Sequence, residues 1–233
     1  MPAPTPANRI DARFEQLRAE NKRAFVAYVC AGDPTLERSI DIVLALEQAG
    51  ADIIELGVPF SDPLADGIVN QMAAERALKA GATTRGVLEM IRQLRQRSQV
   101  PIVLFTYLNP VYTYGYERFH QEAAAAGADG ILVLDLPPDE AAQNAELKPA
   151  PDLRHIQLIA PTSSTERIRG IAASAEGFIY YVSRLGVTGA QESVATGIRE
   201  QVEQIKAASE VPVCVGFGVS SPQQAAESTA QAD

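Results

Sequence analysis

Short, almost continuously apolar runs alternate along the chain with longer stretches in which apolar residues recur every three or four positions. The runs at 24–29, 52–56, 101–106, 130–134, 155–159, 178–182 and 212–215 read as strands covered on both faces. Between them, helical periodicity covers 36–49, 84–97, 116–126, 138–147, 165–173, 199–208 and 222–229, and an amphipathic helix at 10–20 precedes the first strand. Strict alternation of strand and helix predicts a parallel sheet, because parallel neighbours need a crossover connection.

Two internal echoes refine that prediction. AGAD occurs at 49–52 and again at 126–129, each time between a helix end and the next strand, where its glycine suits a left-handed helix stop. VPI at 100–102 is echoed by VPV at 211–213. Repeated βα units in one closed domain fit this best, and the expected fold is a TIM-type (βα)8 barrel. Seven strands are expected where such a barrel has eight. The chain ends in Gln231-Ala232-Asp233, which resembles one more helix-to-strand junction of the AGAD kind, so the eighth βα unit is expected to be missing. The alternative is a doubly wound open sheet, but no glycine-rich dinucleotide fingerprint follows the first strand. The expected organisation is a flexible tail over 1–8 and a single barrel domain over 9–233, incomplete at its C-terminal side.

Charge and cysteine usage narrow the partners. Twenty Lys+Arg against 29 Asp+Glu give a formal charge of -9, with no basic cluster, which argues against nucleic acid. Cys30 and Cys214 lie in apolar runs and read as reduced core residues of a cytoplasmic protein. No apolar stretch approaches the ~20 residues of a membrane span.

Barrel active sites lie at the C-terminal ends of the strands. Those positions carry Asp33, then Glu55, Asp62 and Asp66, then Tyr107 and Asn109, then Asp135, Pro161-Thr162, Ser183-Arg184 and Gly216-Phe217-Gly218. Glu55 is the most telling, because a carboxyl inside an apolar strand is desolvated and prepared for acid–base work near neutrality. A glutamate paired to an arginine is the competing reading. Asp66 reads either as an acceptor for ligand or as a turn residue, in a loop shaped by two prolines and Gly67. Asp62 reads as a turn or surface acid. The three acids suggest Mg²⁺ only weakly, because the prolines hold the loop in a shape that does not obviously converge. Residues 183–190, SRLGVTGA, have the length, glycines and hydroxyl of a mobile lid, with a plain loop as the alternative. GFGVSSP at 216–222 is a turn whose amides could face a phosphate. His120 is expected on a helix surface and His155 at a strand start. No Cys/His cluster marks a zinc site.

ELGVPFSDPLADG, residues 55–67, resembles the signature of the tryptophan synthase alpha family at almost every position. AFVAYVCAGDP at 24–34, YLNPV at 107–111, DLP at 135–137, APTS at 160–163, YYVSRLGVTG at 180–189 and GFGVS at 216–220 extend the resemblance across essentially the whole chain. It implies a lyase that cleaves indole-3-glycerol phosphate to indole and glyceraldehyde 3-phosphate without metal or cofactor. It also implies a pyridoxal-phosphate-dependent beta subunit as partner in an alpha2beta2 complex. By motif position Glu55 matches the general acid/base and Asp66 the carboxylate facing the indole nitrogen. Tyr180 and Thr188 match substrate-site residues, Gly189 and Gly218 backbone donors to the phosphate, and Tyr28, Phe105, Leu132 and Leu134 the indole pocket. Asp62 and Pro63 fall in the segment that meets the beta subunit.

Two departures from the family pattern are visible. Ile68 follows Gly67 where many relatives have a proline, so a less restrained loop is expected. The Gly-Ser turn of the eighth unit, a phosphate donor in the family, is also expected to be absent. Another phosphosugar barrel enzyme, isomerase or metal-dependent aldolase, and a catalytically silent partner-activating subunit remain the alternative functions.

Overall fold

The computed structural model describes residues 8–137, 150, 152–182, 191–216, 221–230 and 232–233. In chain order the elements are α1 (Arg9–Ala19), β1 (Val26–Cys30), α2 (Leu36–Gln48), β2 (Ile53–Gly57), α3 (Ile68–Lys79), α4 (Thr84–Leu94), β3 (Ile102–Thr106), α5 (Leu108–Tyr114) and α6 (Tyr116–Ala126). There follow β4 (Gly130–Val133), β5 (Arg154–His155), β6 (Gln157–Ile159), α7 (Thr165–Ser174), β7 (Ile179–Val182), α8 (Gln191–Ala208), β8 (Val213–Gly216) and α9 (Pro222–Thr229). The chain divides into two compact units, Met1–Arg13 with Phe25–Arg154, and Phe14–Ala24 with His155–Asp233.

In the first unit the strands run in the order β1-β2-β3-β4-β5, parallel wherever the register is set. Side chains alternate across the sheet. Ala27, Ile54, Leu56, Ile102, Leu104 and Ile131 all point to the face that packs with Val43 of α2, Leu88, Ile91 and Leu94 of α4 and Phe119 of α6. The opposite face therefore carries Tyr28, Glu55, Val103, Phe105 and Leu132, which the register aligns as Tyr28–Glu55–Val103 and Gly57–Phe105–Leu132. In the second unit β6, β7 and β8 are parallel. Ile159, Ile179 and Val213 bury against Ile168 and Ile171 of α7 and Val202 and Ile205 of α8.

The predicted strands all form, shifted by a residue or two at their ends. One correction concerns the fifth, expected whole at 155–159. It forms two short pieces, Arg154–His155 beside β4 and Gln157–Ile159 beside β7, so the described residues form eight strands in place of seven. Two helices escape the periodicity. In α3 the buried residues are Ala73, Ala74 and Ala77, while Ile68, Val69 and Met72 are exposed, so the large apolar residues mark the wrong face. In α5, Pro110 disguises a helix, yet it sits in the first turn, where its missing N–H breaks no bond. His120, expected on a surface, is 1% exposed, with Nδ1 2.7 Å from the Tyr116 carbonyl and its ring against Tyr116. The helix expected at 138–147 lies outside the described residues.

The AGAD echo has a physical basis. Gly50 and Gly127 adopt φ of 102° and 96°, the left-handed stop. Each following aspartate then accepts the first free amide of the neighbouring strand: Asp52 from Phe25 N–H at 2.7 Å, and Asp129 from Ile102 N–H at 2.8 Å. Arginines neutralise both: Arg13 on Asp52, and Arg9 and Arg95 on Asp129 at 2.7 Å each. Asp233 does the same in the second unit. It accepts from Val213 N–H at 3.0 Å and from Lys206 Nζ at 3.0 Å, and its carbonyl accepts from Ala24 N–H at 2.9 Å. The likeness of Gln231-Ala232-Asp233 to AGAD is thus structural at its aspartate.

Candidate active site

The second strand is buried along its whole length and ends in Gly57. Glu55 stands there, 3% exposed, between Tyr28 and Val103 in register. Its Oε1 finds no hydrogen-bond partner among the described residues, and no arginine pairs with it, which removes the ion-pair reading there. Burial alone pushes its carboxyl up from 4.5 to about 8. It is therefore a neutral acid at pH 7.

Tyr28 shapes the space beside it. Its ring meets Phe105 edge-on at 5.3 Å between centroids, and its hydroxyl lies over Gly57. A Cβ at Gly57 would fall 2.2 Å from that hydroxyl, so any side chain there would displace the Tyr28 ring. Burial foremost, with nearby anions, keeps the Tyr28 phenol protonated. The same diagonal recurs in the second unit, where a Cβ at Gly216 would fall 2.1 Å from the hydroxyl of Tyr180. Phe105 and Leu132 are buried, and Leu134, half-buried, continues their side of the sheet and bonds its N–H to the Thr106 carbonyl.

After Gly57 the chain turns twice, with Leu64 N–H on the Asp62 carbonyl at 2.9 Å and Asp66 N–H on the Pro63 carbonyl at 3.0 Å. Asp62 is exposed, its carboxylate accepting only from Ser61 Oγ among the described residues, and Pro63 is half-buried. Asp66 is held from two sides. Tyr107, at the end of β3, donates its hydroxyl to Oδ2 at 2.9 Å, and the same hydroxyl accepts the Ala65 N–H at 3.0 Å. From α3, Asn70 Nδ2 reaches Oδ1 at 3.4 Å and Gln71 Nε2 the backbone carbonyl at 2.8 Å. Side chains thus hold the loop at this rest position. Burial, then the Asp66 bond, pushes Tyr107 up to about 12.

Other strand-end acids have structural partners. Asp33 forms a bidentate pair with Arg76 of α3, at 2.9 and 2.7 Å, which holds its carboxyl below the ordinary range. Asp135 accepts the Leu108 N–H at 2.6 Å and so caps α5. Among the described residues no three Asp, Glu, His or Cys side chains gather as a metal site. Thr188, Gly189 and Gly218 lie outside the described residues, as does the expected lid. Sequence reasoning placed Tyr107 at a strand end but gave it no task. Its partner lies 41 residues away, and no local pattern reports that bond.

A buried neutral acid above an aromatic-walled face, with a second carboxylate on an adjacent loop, suits proton transfer to a ring carbon. Residues 14–233 match the family model described as tryptophan synthase alpha chain. The chain belongs to the tryptophan synthase alpha family. It is 50% identical over 229 residues to the tryptophan synthase alpha chain of Citrifermentans bemidjiense, covering 97% of this chain and 85% of that relative. The corresponding chain of Geobacter sp. strain M21 is 49% identical with the same coverage. Among solved structures, tryptophan synthase subunit alpha of Legionella pneumophila aligns with a TM-score of 0.88 at 42% identity, covering 97% of this chain and 84% of that one. A tryptophan synthase structure from M. tuberculosis in an aminoacrylate-bound form aligns at 0.86 and 36% identity, covering 97% and 87%.

The fold is accordingly the TIM-type βα barrel, and the family's reaction is the lyase step of tryptophan biosynthesis: indole-3-glycerol phosphate to indole and glyceraldehyde 3-phosphate. The alpha chain works without a cofactor. Pyridoxal phosphate belongs to the beta subunit with which it pairs. The isomerase and metal-dependent aldolase readings fall away. No helix among the described residues is long and apolar enough to cross a membrane.

Proposed function

We propose that Glu55 and Asp66 divide the proton handling of this cleavage, Glu55 as general acid and base and Asp66 as acceptor for the indole nitrogen. The burial of Glu55 carries the reading, because the reaction begins with a proton that must arrive at carbon. The neutral carboxyl protonates indole C3, and positive charge moves toward the ring nitrogen. Asp66 accepts the N–H and stabilises that cation. The bond from C3 to the side-chain carbon then breaks. Its electron pair restores the aromatic ring, and the adjacent hydroxyl becomes the aldehyde. The proton of that hydroxyl returns to the Glu55 carboxylate, so the acid is regenerated and no atom is left over. A carboxyl kept neutral by burial, working beside a second carboxylate, is a known division between catalytic acids.

Tyr28, Phe105, Leu132 and Leu134 receive the indole ring. Their sharing of one sheet side with Glu55 supports this for the first three, and the two-residue spacing supports it for Leu134. Tyr180 and Thr188 complete substrate binding, and the amides of Gly189 and Gly218 hold the phosphate. For these four the motif match is the support. Asp62 and Pro63 meet the beta subunit. Beside them Leu64 is 93% exposed, and Ile68, Val69 and Met72 are exposed as well, the apolar area that a partner covers. The cytoplasm is the proposed location, supported by two unbridged cysteines.

The deciding experiment is Glu55→Gln in the alpha–beta complex. Indole release is expected to vanish while beta-subunit binding persists, and near-normal turnover would overturn the mechanism.

A further inference from the structure

We propose that Tyr107 is a positioning residue for the cleavage: it fixes one oxygen of Asp66 and leaves the other to the substrate. The proposal rests on the reading of Asp66 given above. Its geometry is unambiguous about direction. The Ala65 N–H can only donate, so it consumes a lone pair of the Tyr107 oxygen, at 3.0 Å. An ionised Asp66 can only accept, so the phenolic hydrogen points at Oδ2, at 2.9 Å. A single hydroxyl therefore locks two successive residues of the loop.

Its support is rigid. Tyr107 is 5% exposed, follows directly on β3, and packs its ring against Phe60 at 5.5 Å. Asn70 and Gln71 also touch Asp66, but they sit on the helix that continues the same loop and move with it. Tyr107 alone among these three ties the carboxylate to the sheet that carries Glu55. Ile68 follows Gly67, so no proline ring fixes the backbone there and the tie is made by a side chain. A carboxylate offers about four acceptor positions. Tyr107 occupies one on Oδ2, and on Oδ1 the contact from Asn70 is long, so Oδ1 remains available to an indole N–H. The phenol, pushed up to about 12, stays a donor throughout the neutral range.

The test is a double-mutant cycle on indole release, measured with the alpha chain in complex with its beta subunit. Tyr107→Phe keeps the ring and removes the hydroxyl. It is expected to lower kcat about tenfold or more and to change KM by less than about threefold, because misplacing a catalytic group costs mainly turnover. In the Asp66→Asn background the same change is expected to alter kcat by less than about twofold. Tyr107→Phe with unchanged kcat overturns the proposal. So do losses that multiply in the double variant, which is also what a folding defect would give. Asp66→Asn with unchanged kcat would instead remove the Asp66 assignment itself, and this proposal with it.

Discussion

An unfolded alpha chain ionises Glu55 at pH 7 and the folded chain does not, so folding must forgo that ionisation. The carboxyl is raised from 4.5 to about 8 by burial, with 3% of the residue exposed. Because the folded state binds the proton more tightly, stability from this group is complete below pH 4.5, declines as pH rises, and levels off above about 8. Each pH unit inside that window costs about 1.4 kcal/mol, so the deficit reaches about 3 kcal/mol at pH 7. Glu55→Gln removes the titration while keeping shape. Urea unfolding of parent and variant at pH 5, 6, 7 and 8 should show the variant gaining on the parent by roughly 1 kcal/mol per unit. A buried amide adds a constant offset, so the slope is the quantity to read. Parallel pH curves for the two proteins would refute the raised carboxyl and the acid role built on it. The same carboxyl predicts that indole release falls as pH passes about 8, where the acid form is lost.

The remaining predictions concern supports of the site. Asp129→Ala strands the largely buried Arg95 and should cost about 3 kcal/mol in chemical denaturation, whereas a loss under about 1 kcal/mol would mean the network is idle. Gly57→Ala forces Tyr28 aside and should cut indole release well over tenfold, read against an unchanged far-ultraviolet spectrum. Asp62→Ala should leave stability within about 0.5 kcal/mol and weaken association with the beta subunit, measured by titration calorimetry.

What could be read from sequence follows a physical line. Glu55 was legible because a single charge in an apolar strand has few explanations, and the AGAD aspartates were legible because their glycines mark a fixed backbone event. Asp33 and Asp135 were not distinguishable from site acids, since their partners, Arg76 and the Leu108 amide, come from other segments. Asp66 was ambiguous for the same reason: its decisive contact, Tyr107, is tertiary. α3 was missed because burial there selects smallness over hydrophobicity, and periodicity measures only hydrophobicity. His120 was misplaced because its neighbours on α6 are mostly polar, although aromatic rings enclose it.

The alanine face of α3 has a mechanical meaning. Ala73, Ala74 and Ala77 meet Cys30 and Ala82, and no large side chain of the helix interlocks with the sheet. Helices usually keep their place because ridges seat in grooves. A row of methyl groups offers neither, so sliding along the axis meets only low steps. The acid that α3 leads out of is therefore moored by chemistry and not by shape: a phenol and a surface pair between Arg76 and Asp33 set its rest position. Moorings of that kind are worth about 1–2 kcal/mol each, so the place of Asp66 in the site depends on two bonds rather than on the packing of a helix.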